Sequence, residues 1–341
     1  MTYGFFDDYS EGCHPEILAA FGRTNDTQEV AYGNDRYSVE ARRRIAELCG
    51  QPDMPVQFVS GGTLANLIVS AAVLRPHEAI ISASSGHIAM RETGAIEATG
   101  HKIITMPSVN GKLTPADVAQ AVAGNAQVPH MAKPKMVYIS NATEFGTVYS
   151  LAELTALRSA CDAHNLLLMI DGARIGVAIE ASDVTLTDIA AIADVFWIGG
   201  TKAGALFGEA IVFPNRELAS DFEFHLKQRG ALLAKGRALG VQFLTLFADD
   251  LFGRLCRSSN EAAQKLSAGV VAAGFELAAT TESNQVFAIL PNATIAALQE
   301  SFGFYVWEPL DHERSVIRLV TSWATDPDQV DRFISTAARL A

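Results

Sequence analysis

The chain has 341 residues, 49% of them hydrophobic and 19% charged, a globular composition with room for one large core and a smaller second one. Its formal net charge of -12 argues against general nucleic-acid binding, because phosphate backbones require clustered Lys and Arg. No apolar run approaches the roughly 20 residues that span a bilayer. The N-terminus carries Asp7, Asp8 and Glu11 rather than a secretory leader, and Cys13, Cys49, Cys161 and Cys256 lack disulfide or metal-ligand spacing, so a soluble cytoplasmic protein with buried thiols and no metal is expected.

In chain order, Val56 to Val59 reads as a strand that runs into Ser60-Gly61-Gly62-Thr63-Leu64-Ala65-Asn66, which opens a helix from Leu64 to Leu74. Small residues let the backbone approach an anion, a helix N-terminus offers free N–H groups and partial positive charge, and Thr63 adds a hydroxyl. This suits a cofactor phosphate; taken alone the segment reads first as an ordinary strand–helix turn, and the phosphate reading prevails only beside Asp171 and Lys202. Glu78 to Ser82 is a strand, followed by a helix from about His87. An imidazole there can lie flat on a pyridine ring and relay protons, or simply cap the helix. Lys102 to Thr105 is a strand, Thr114 to Ala123 a helix opened by Thr-Pro, Lys135 to Ser140 a buried strand, and Ser150 to Ala163 a helix with Ser150 as N-cap and Glu153 completing a capping box.

Leu166 to Ile170 is a strongly apolar strand ending in Asp171-Gly172-Ala173-Arg174, and Asp194 to Ile198 is a strand ending in Gly199-Gly200-Thr201-Lys202. Ala205 to Phe213 turns back as a further strand. Strands alternating with helices imply a mostly parallel sheet with helices on both faces, whose ligands lie at the carboxyl ends of the strands. A carboxylate and a lysine delivered by two such ends are the two halves of a pyridoxal phosphate site. The amine forms a Schiff base with the aldehyde, and the carboxylate keeps the pyridine nitrogen protonated.

From Asn215 to about Asp250 the pattern is helical, with Lys227, Arg229, Lys235 and Arg237. After it come a helix near Ser258 to Ala273, short strands near Gln285 to Leu290, Phe304 to Trp307 and Val316 to Val320, and a last helix from about Asp328 to Leu340. The expected organisation is a large α/β domain over 1–250, with an N-terminal arm over 1–20, and a small α+β domain over 251–341. Arg174 and Arg318 sit in Gly-rich or apolar stretches, where an unpaired charge is costly. A substrate carboxylate is a natural bidentate partner; an internal salt bridge is the equal alternative.

The order Ser60-Gly-Gly-Thr-Leu-Ala-Asn66, His87, Asp171-Gly-Ala-Arg174, Gly-Gly-Thr-Lys202, Arg318-Leu-Val-Thr-Ser-Trp323 resembles the low-specificity L-threonine aldolases, β-eliminating lyases of the pyridoxal phosphate class. The resemblance runs from Asp8-Tyr9-Ser10 through Ala31-Tyr32-Gly33 and Ala142-Thr143-Glu144-Phe145-Gly146-Thr147 to the final helix. It implies an aspartate-aminotransferase-like fold with a mostly parallel seven-stranded sheet, and cleavage of L-threonine or L-allo-threonine to glycine and an aldehyde. Lys202 would hold pyridoxal 5'-phosphate, Asp171 would pair with its ring nitrogen, and Gly62, Thr63 and Thr201 would hold its phosphate. His87 would stack on the ring. Arg174, beside the cofactor, and Arg318 would clamp the substrate carboxylate. Tyr32 and the stretch Lys227 to Arg237, with Lys235 toward the cofactor, would reach a neighbouring subunit's site in a homodimer or homotetramer.

Three positions depart from the family pattern: Phe6 in place of a carboxylate-binding serine, Arg91 one turn after the stacking histidine, and Glu144 in place of a second histidine. All three are expected around the substrate, and Tyr32 also borders it. His87 is the first candidate for the base that takes the β-hydroxyl proton and Glu144 the second. A cation at Arg91 could select an acidic substrate such as 3-hydroxyaspartate, so another pyridoxal phosphate lyase, a racemase or an aminotransferase is the alternative activity. A non-catalytic binding protein is a weaker reading. A nicotinamide dehydrogenase is weaker still, because Gly61-Gly62 lacks the Gly-x-Gly-x-x-Gly spacing.

Overall fold

The structure is a computed structural model and describes residues 2–341. Its large sheet has seven strands: β1 (Val56–Val59), β2 (Glu78–Ala83), β3 (Lys102–Met106), β4 (Lys133–Ser140), β5 (Leu167–Asp171), β6 (Val195–Gly199) and β7 (Glu209–Val212). Their spatial order is β1-β7-β6-β5-β4-β2-β3. All neighbours pair in parallel except β7, which runs antiparallel to both β1 and β6. The mostly parallel seven-stranded sheet is the one expected. Its side chains alternate between two cores, as a period of two demands. Leu168, Ile170, Phe196 and Ile198 face one side; Met169, Tyr138, Val195 and Trp197 face the other. Helices cover both faces, so β2 and β6 are buried along their whole length. The capping box at Ser150/Glu153 forms as expected, and the helix opened by Thr114-Pro115 also carries one, between Thr114 and Asp117.

Several elements differ from the sequence reading. The strand expected from Ala205 begins only at Glu209. Gly204 and Gly208 take left-handed φ values of +99° and +118°, and the Leu206 and Phe207 amides donate to Gln242 instead of to a neighbouring strand. The helix at His87 is a single turn, His87–Met90. The helical stretch after Asn215 breaks into Phe222–Gln228 and Arg237–Leu246. Gly230 is left-handed at φ +70°, and Gly236 lies so close to Gly33 that a Cβ there would stand 2.5 Å from its backbone nitrogen. Lys235 is therefore in a connection, not on a helix. The helices Pro15–Thr24 and Arg36–Leu48 were not anticipated. In the second, the charged face of Glu40, Arg42, Arg43 and Arg44 masks a buried stripe of Ala41, Ile45 and Ala46.

The long helix begins at Leu251, earlier than read, and ends at Ala272. Its first turns (Leu251, Phe252, Leu255, Cys256) join the large core. Its later turns (Ala263, Leu266, Val270) pack on a small C-terminal sheet with Phe333 of the last helix. That sheet has the order Tyr305–Pro309, Arg314–Val320, Gln285–Pro291, Glu276–Leu277 and is antiparallel. The N-terminal arm starts on this side: Tyr3–Gly4 pairs with Phe302–Gly303, and Phe5 enters the small core. The next residues, Asp7 and Asp8, are thereby delivered to the crevice between the sheets. All four cysteines are buried free thiols. Among the described residues, no helix is long and apolar enough to cross a membrane.

Candidate active site

Two strand ends build the centre of this crevice. β5 ends at Asp171 and β6 at Gly199, followed by the turn Thr201–Ala203 that carries Lys202. Gly172 allows the two turns to close on each other: a Cβ there would lie 1.8 Å from the Trp197 carbonyl oxygen, and the Gly199 amide donates to Gly172 O at 2.9 Å. Asp171 and Lys202 line one cavity of about 330 Å³ together with Ser60 to Thr63, Asn66, His87, Glu144 and Glu209. It opens into an outer cavity of about 600 Å³ bordered by Asp7, Arg91, Tyr305, Trp307 and Arg318. Tyr9, His87, Glu144, Arg174 and Lys202 belong to both.

The inner cavity fits the cofactor inferred from the sequence. The helix Gly62–Val73 starts at its wall with Gly61 as N-cap and no side chain capping it, so its first-turn amides are free for an anion. A Cβ at Gly61 would meet no protein atom within 4 Å, which makes an open cradle, while Gly62 rests on the Trp197 ring. Asp171 is buried and oriented: Oδ1 accepts from the Ala173 amide at 3.0 Å, and Oδ2 accepts from Asn66 Nδ2 at 3.0 Å and from the Tyr138 hydroxyl. Burial, then the Asp171 charge, pushes the Tyr138 phenol well above its ordinary pKa, so it stays a donor.

Asn66, at the end of the Ser60–Asn66 motif, joins three groups of the site, a role its sequence position does not reveal. Its Nδ2 also donates to Glu92 Oε1 at 2.7 Å, and its Oδ1 accepts from Trp197 Nε1 at 3.0 Å. The same Glu92 oxygen holds His87 Nδ1 at 2.8 Å. Glu92 is buried, so it fixes the imidazole with Nε2 left for other partners. Glu144 Oε1 accepts from the His87 amide at 2.9 Å and from Ser140 Oγ at 2.7 Å. Burial raises its pKa against these hydrogen bonds. Burial lowers the pKa of Lys202, helped by the Arg174 charge and opposed by Asp8, Asp171 and Glu209. A neutral lysine amine is the nucleophilic form.

The Thr201 hydroxyl is spoken for within the protein. It donates to Glu209 Oε1 at 2.9 Å and accepts from the Gly208 amide at 3.1 Å, while Glu209 Oε2 accepts from the Gly200 amide at 2.9 Å. Thr201 therefore has no free donor for a phosphate; it ties the lysine turn to β7. Glu209, at the start of a strand and outside the motifs, gave no signal in the sequence. Burial pushes its carboxyl up to about 7, despite those hydrogen bonds.

Arg174 and Arg318 both have protein partners. Arg174 Nε and Nη2 donate to Asp8 Oδ2 and Oδ1 at 2.7 and 3.0 Å, which leaves Nη1. Asp8 Oδ2 also accepts from Asn284 Nδ2 of the small domain at 2.9 Å. Arg318 Nη2 meets Phe6 O at 3.2 Å and Asp7 Oδ1 at 3.4 Å, and its buried Nε has no partner among the described residues. Phe6 itself packs edge-on against Tyr305 and does not line the cavity; Asp7 is the arm residue that does. Arg91 borders the outer cavity, its guanidinium 5.7 Å from the Trp307 ring centroid. Tyr32 and Lys235 line neither cavity. Tyr32 is partly exposed, with Lys227 Nζ 4.5 Å above its ring.

Compared with known proteins, residues 7–302 match the family model described as Beta-eliminating lyase. The low-specificity L-threonine aldolase of Pseudomonas sp. (strain NCIMB 10558) is 36% identical over 331 residues, covering 95% of this chain and 93% of that one. The Pseudomonas aeruginosa relative of the same description is 34% identical over 336 residues, covering 96% and 95%. The solved structure of a Leishmania major threonine aldolase superposes with a TM-score of 0.97 at 47% identity, covering 99% of both chains. At the level of fold alone, Thermus thermophilus aspartate aminotransferase superposes with a TM-score of 0.74 at 15% identity, covering 100% of this chain and 92% of the other.

Proposed function

The chain belongs to the β-eliminating lyase family, and on that basis we propose that it is a pyridoxal phosphate-dependent aldehyde-lyase cleaving L-threonine and L-allo-threonine to glycine and acetaldehyde. One observation carries the reading. A buried, oriented carboxylate, a buried lysine whose pKa is lowered by burial and an uncapped helix N-terminus share one cavity, in a chain similar along its length to threonine aldolases.

Lys202 would hold the cofactor's aldehyde carbon, Asp171 its ring nitrogen, and Thr63 with the first-turn amides from Gly62 its phosphate; His87 would stack on the ring. When bound, the cofactor supplies a protonated pyridine ring that takes up the electron pair released at Cα. Arg318, through its unpartnered Nε, and Arg174, through Nη1, would hold the substrate carboxylate. Fixing that carboxylate sets which bond at Cα stands perpendicular to the ring, and so which bond breaks. His87 Nε2, steadied by Glu92 at Nδ1, would take the β-hydroxyl proton; Glu144, whose raised pKa suits proton transfer, is the second candidate. Loss of that proton turns the Cβ–OH into the departing aldehyde.

A homodimer or homotetramer is part of the proposal, with Tyr32 and the Lys227 to Arg237 stretch at the neighbouring subunit's site. Their position outside this chain's own cavity fits that role. Four free buried cysteines suit a reducing compartment such as the cytoplasm. The test is product identity. Incubation with pyridoxal phosphate and either threonine diastereomer is expected to give glycine and acetaldehyde in equal amounts. A 2-oxo acid with ammonia would instead favour an elimination on the same scaffold.

A further inference from the structure

The outer cavity carries three guanidinium groups in unequal states. Arg174 is neutralised by the bidentate pair with buried Asp8. Arg318 is flanked by Asp7 at 3.4 Å. The Arg91 side chain borders the cavity at an exposed position and has no hydrogen bond or ion pair to any described residue. Its guanidinium lies over the Trp307 ring, 5.7 Å from the centroid, and the Arg318 guanidinium is 5.1 Å from the same centroid. An aromatic face attracts cations without cancelling their charge.

Nearby acids do not neutralise it. Asp7 is taken by Arg318 and by the Tyr305 hydroxyl at 3.2 Å. Glu144 is buried, raised in pKa and hydrogen-bonded to Ser140 and His87. Arg91 also caps the single helical turn that His87 begins, its amide donating to His87 O at 2.8 Å. It thus stands one turn from His87, the first candidate to receive the β-hydroxyl proton. That is the side-chain end of a substrate whose α-carboxylate is at Arg318.

We infer that Arg91 is a specificity-determining residue that selects β-hydroxy-α-amino acids bearing a second carboxylate on Cβ, of the 3-hydroxyaspartate type, over those with an alkyl side chain. The inference rests on the aldol-cleavage reading and keeps its chemistry. The Cα–Cβ bond breaks, the β-hydroxyl loses its proton to become the aldehyde of glyoxylate, and Cα gains a proton to give glycine. No oxidant or reductant is needed.

The test compares holoenzyme kcat/KM for L-3-hydroxyaspartate (both diastereomers) and L-threonine in the wild type, Arg91→Ala and Arg91→Lys. Calorimetric binding of L-aspartate, which has no β-hydroxyl and cannot be cleaved, is measured in parallel. A hydrogen bond to a charged group is lost in the alanine variant, so the hydroxyaspartate-to-threonine ratio is expected to fall roughly ten- to hundredfold, with L-aspartate binding weakened by a similar factor. Lysine should recover part of both. A wild-type preference for L-threonine, or a ratio and an aspartate affinity unmoved by Arg91→Ala, would overturn the inference while leaving aldol cleavage intact. Arg91-dependent aspartate binding with neither amino acid cleaved would overturn the aldol reading and leave the acidic-ligand assignment standing.

Discussion

Replacing Asp8 by alanine is expected to destabilise the fold by about 3–5 kcal/mol, the usual result of stripping one partner from a buried ion pair. Asp8 is 1% exposed and the Arg174 side chain 13%. The change leaves Arg174 Nε and Nη2 without acceptors and removes one of the two acceptors of Asn284 Nδ2. In a chain of this size a kcal/mol moves Tm by about 2 °C, so the expected drop is on the order of 6–10 °C. The pH dependence has a definite sign. Burial alone would raise the Asp8 carboxyl, but the charges of Arg174 and Lys202 and the hydrogen bonds from Arg174 and Asn284 hold it below its ordinary value. A depressed folded-state pKa gives stability that is fully present above the unfolded carboxylate pKa of about 3.9 and is lost as pH falls through the lower folded value. Wild type and Asp8→Ala should therefore converge only in that acid window. Scanning calorimetry of the two proteins, with the double variant Asp8→Leu/Arg174→Met, is the assay. The double variant should be more stable than Asp8→Ala, because an apolar pair leaves no orphaned charge. A Tm shift in Asp8→Ala under about 2 °C would refute the reasoning, since it would mean that the pair is solvated and the arm does not join the two sheets.

Three further outcomes are expected. Gly62→Ala would place a Cβ 2.7 Å from Trp197 Cη2; overpacking of about 1–3 kcal/mol at the phosphate turn should weaken pyridoxal phosphate binding about tenfold or more, read by absorbance titration. Asn66→Leu removes the donor shared by Asp171 and Glu92 and the acceptor of Trp197, so cofactor affinity should fall while the isosteric side chain preserves the fold; an unchanged Kd would count against the network. Glu209 is an acid whose folded pKa is raised from 4.5 to about 7, so the folded protein keeps a proton the unfolded chain has released and stability falls as pH rises across that interval. Glu209→Gln lacks this slope, and its stability relative to wild type should rise by about 3 kcal/mol between those pH values, measured by urea denaturation across the range.

The strand ends that carry the chemistry were legible because each is a continuous apolar run closed by glycine-rich turns: Leu166 to Ile170 before Asp171, and Val195 to Ile198 before Lys202. The positions of Ser60 to Thr63 and His87 followed from the same alternation. The partners of these groups were not legible, because they arrive from elsewhere in the chain. Asp8 reaches Arg174 across 166 residues, and Asn66 reaches Asp171 across 105. No local pattern marks such contacts. Glu209 looks like an ordinary strand residue until β7 turns its carboxylate under the lysine turn. Arg318 was rightly suspected of needing a partner, but the arm that supplies Asp7 could be placed only by its pairing with Phe302–Gly303. The broken helix around Lys235 went unread because Gly230 and Gly236 act through backbone conformation and close packing, which periodicity does not record.

The most direct measurement is borohydride reduction of the pyridoxal phosphate-loaded protein, followed by peptide mass mapping, beside acetaldehyde release from L-allo-threonine by the wild type and Lys202→Ala. The expected result is a reduced cofactor adduct on the peptide containing Lys202, with adduct and acetaldehyde both lost in the variant. An adduct on a different lysine, or a Lys202→Ala protein that releases acetaldehyde at the wild-type rate, would contradict the assignment of this cavity as the catalytic centre.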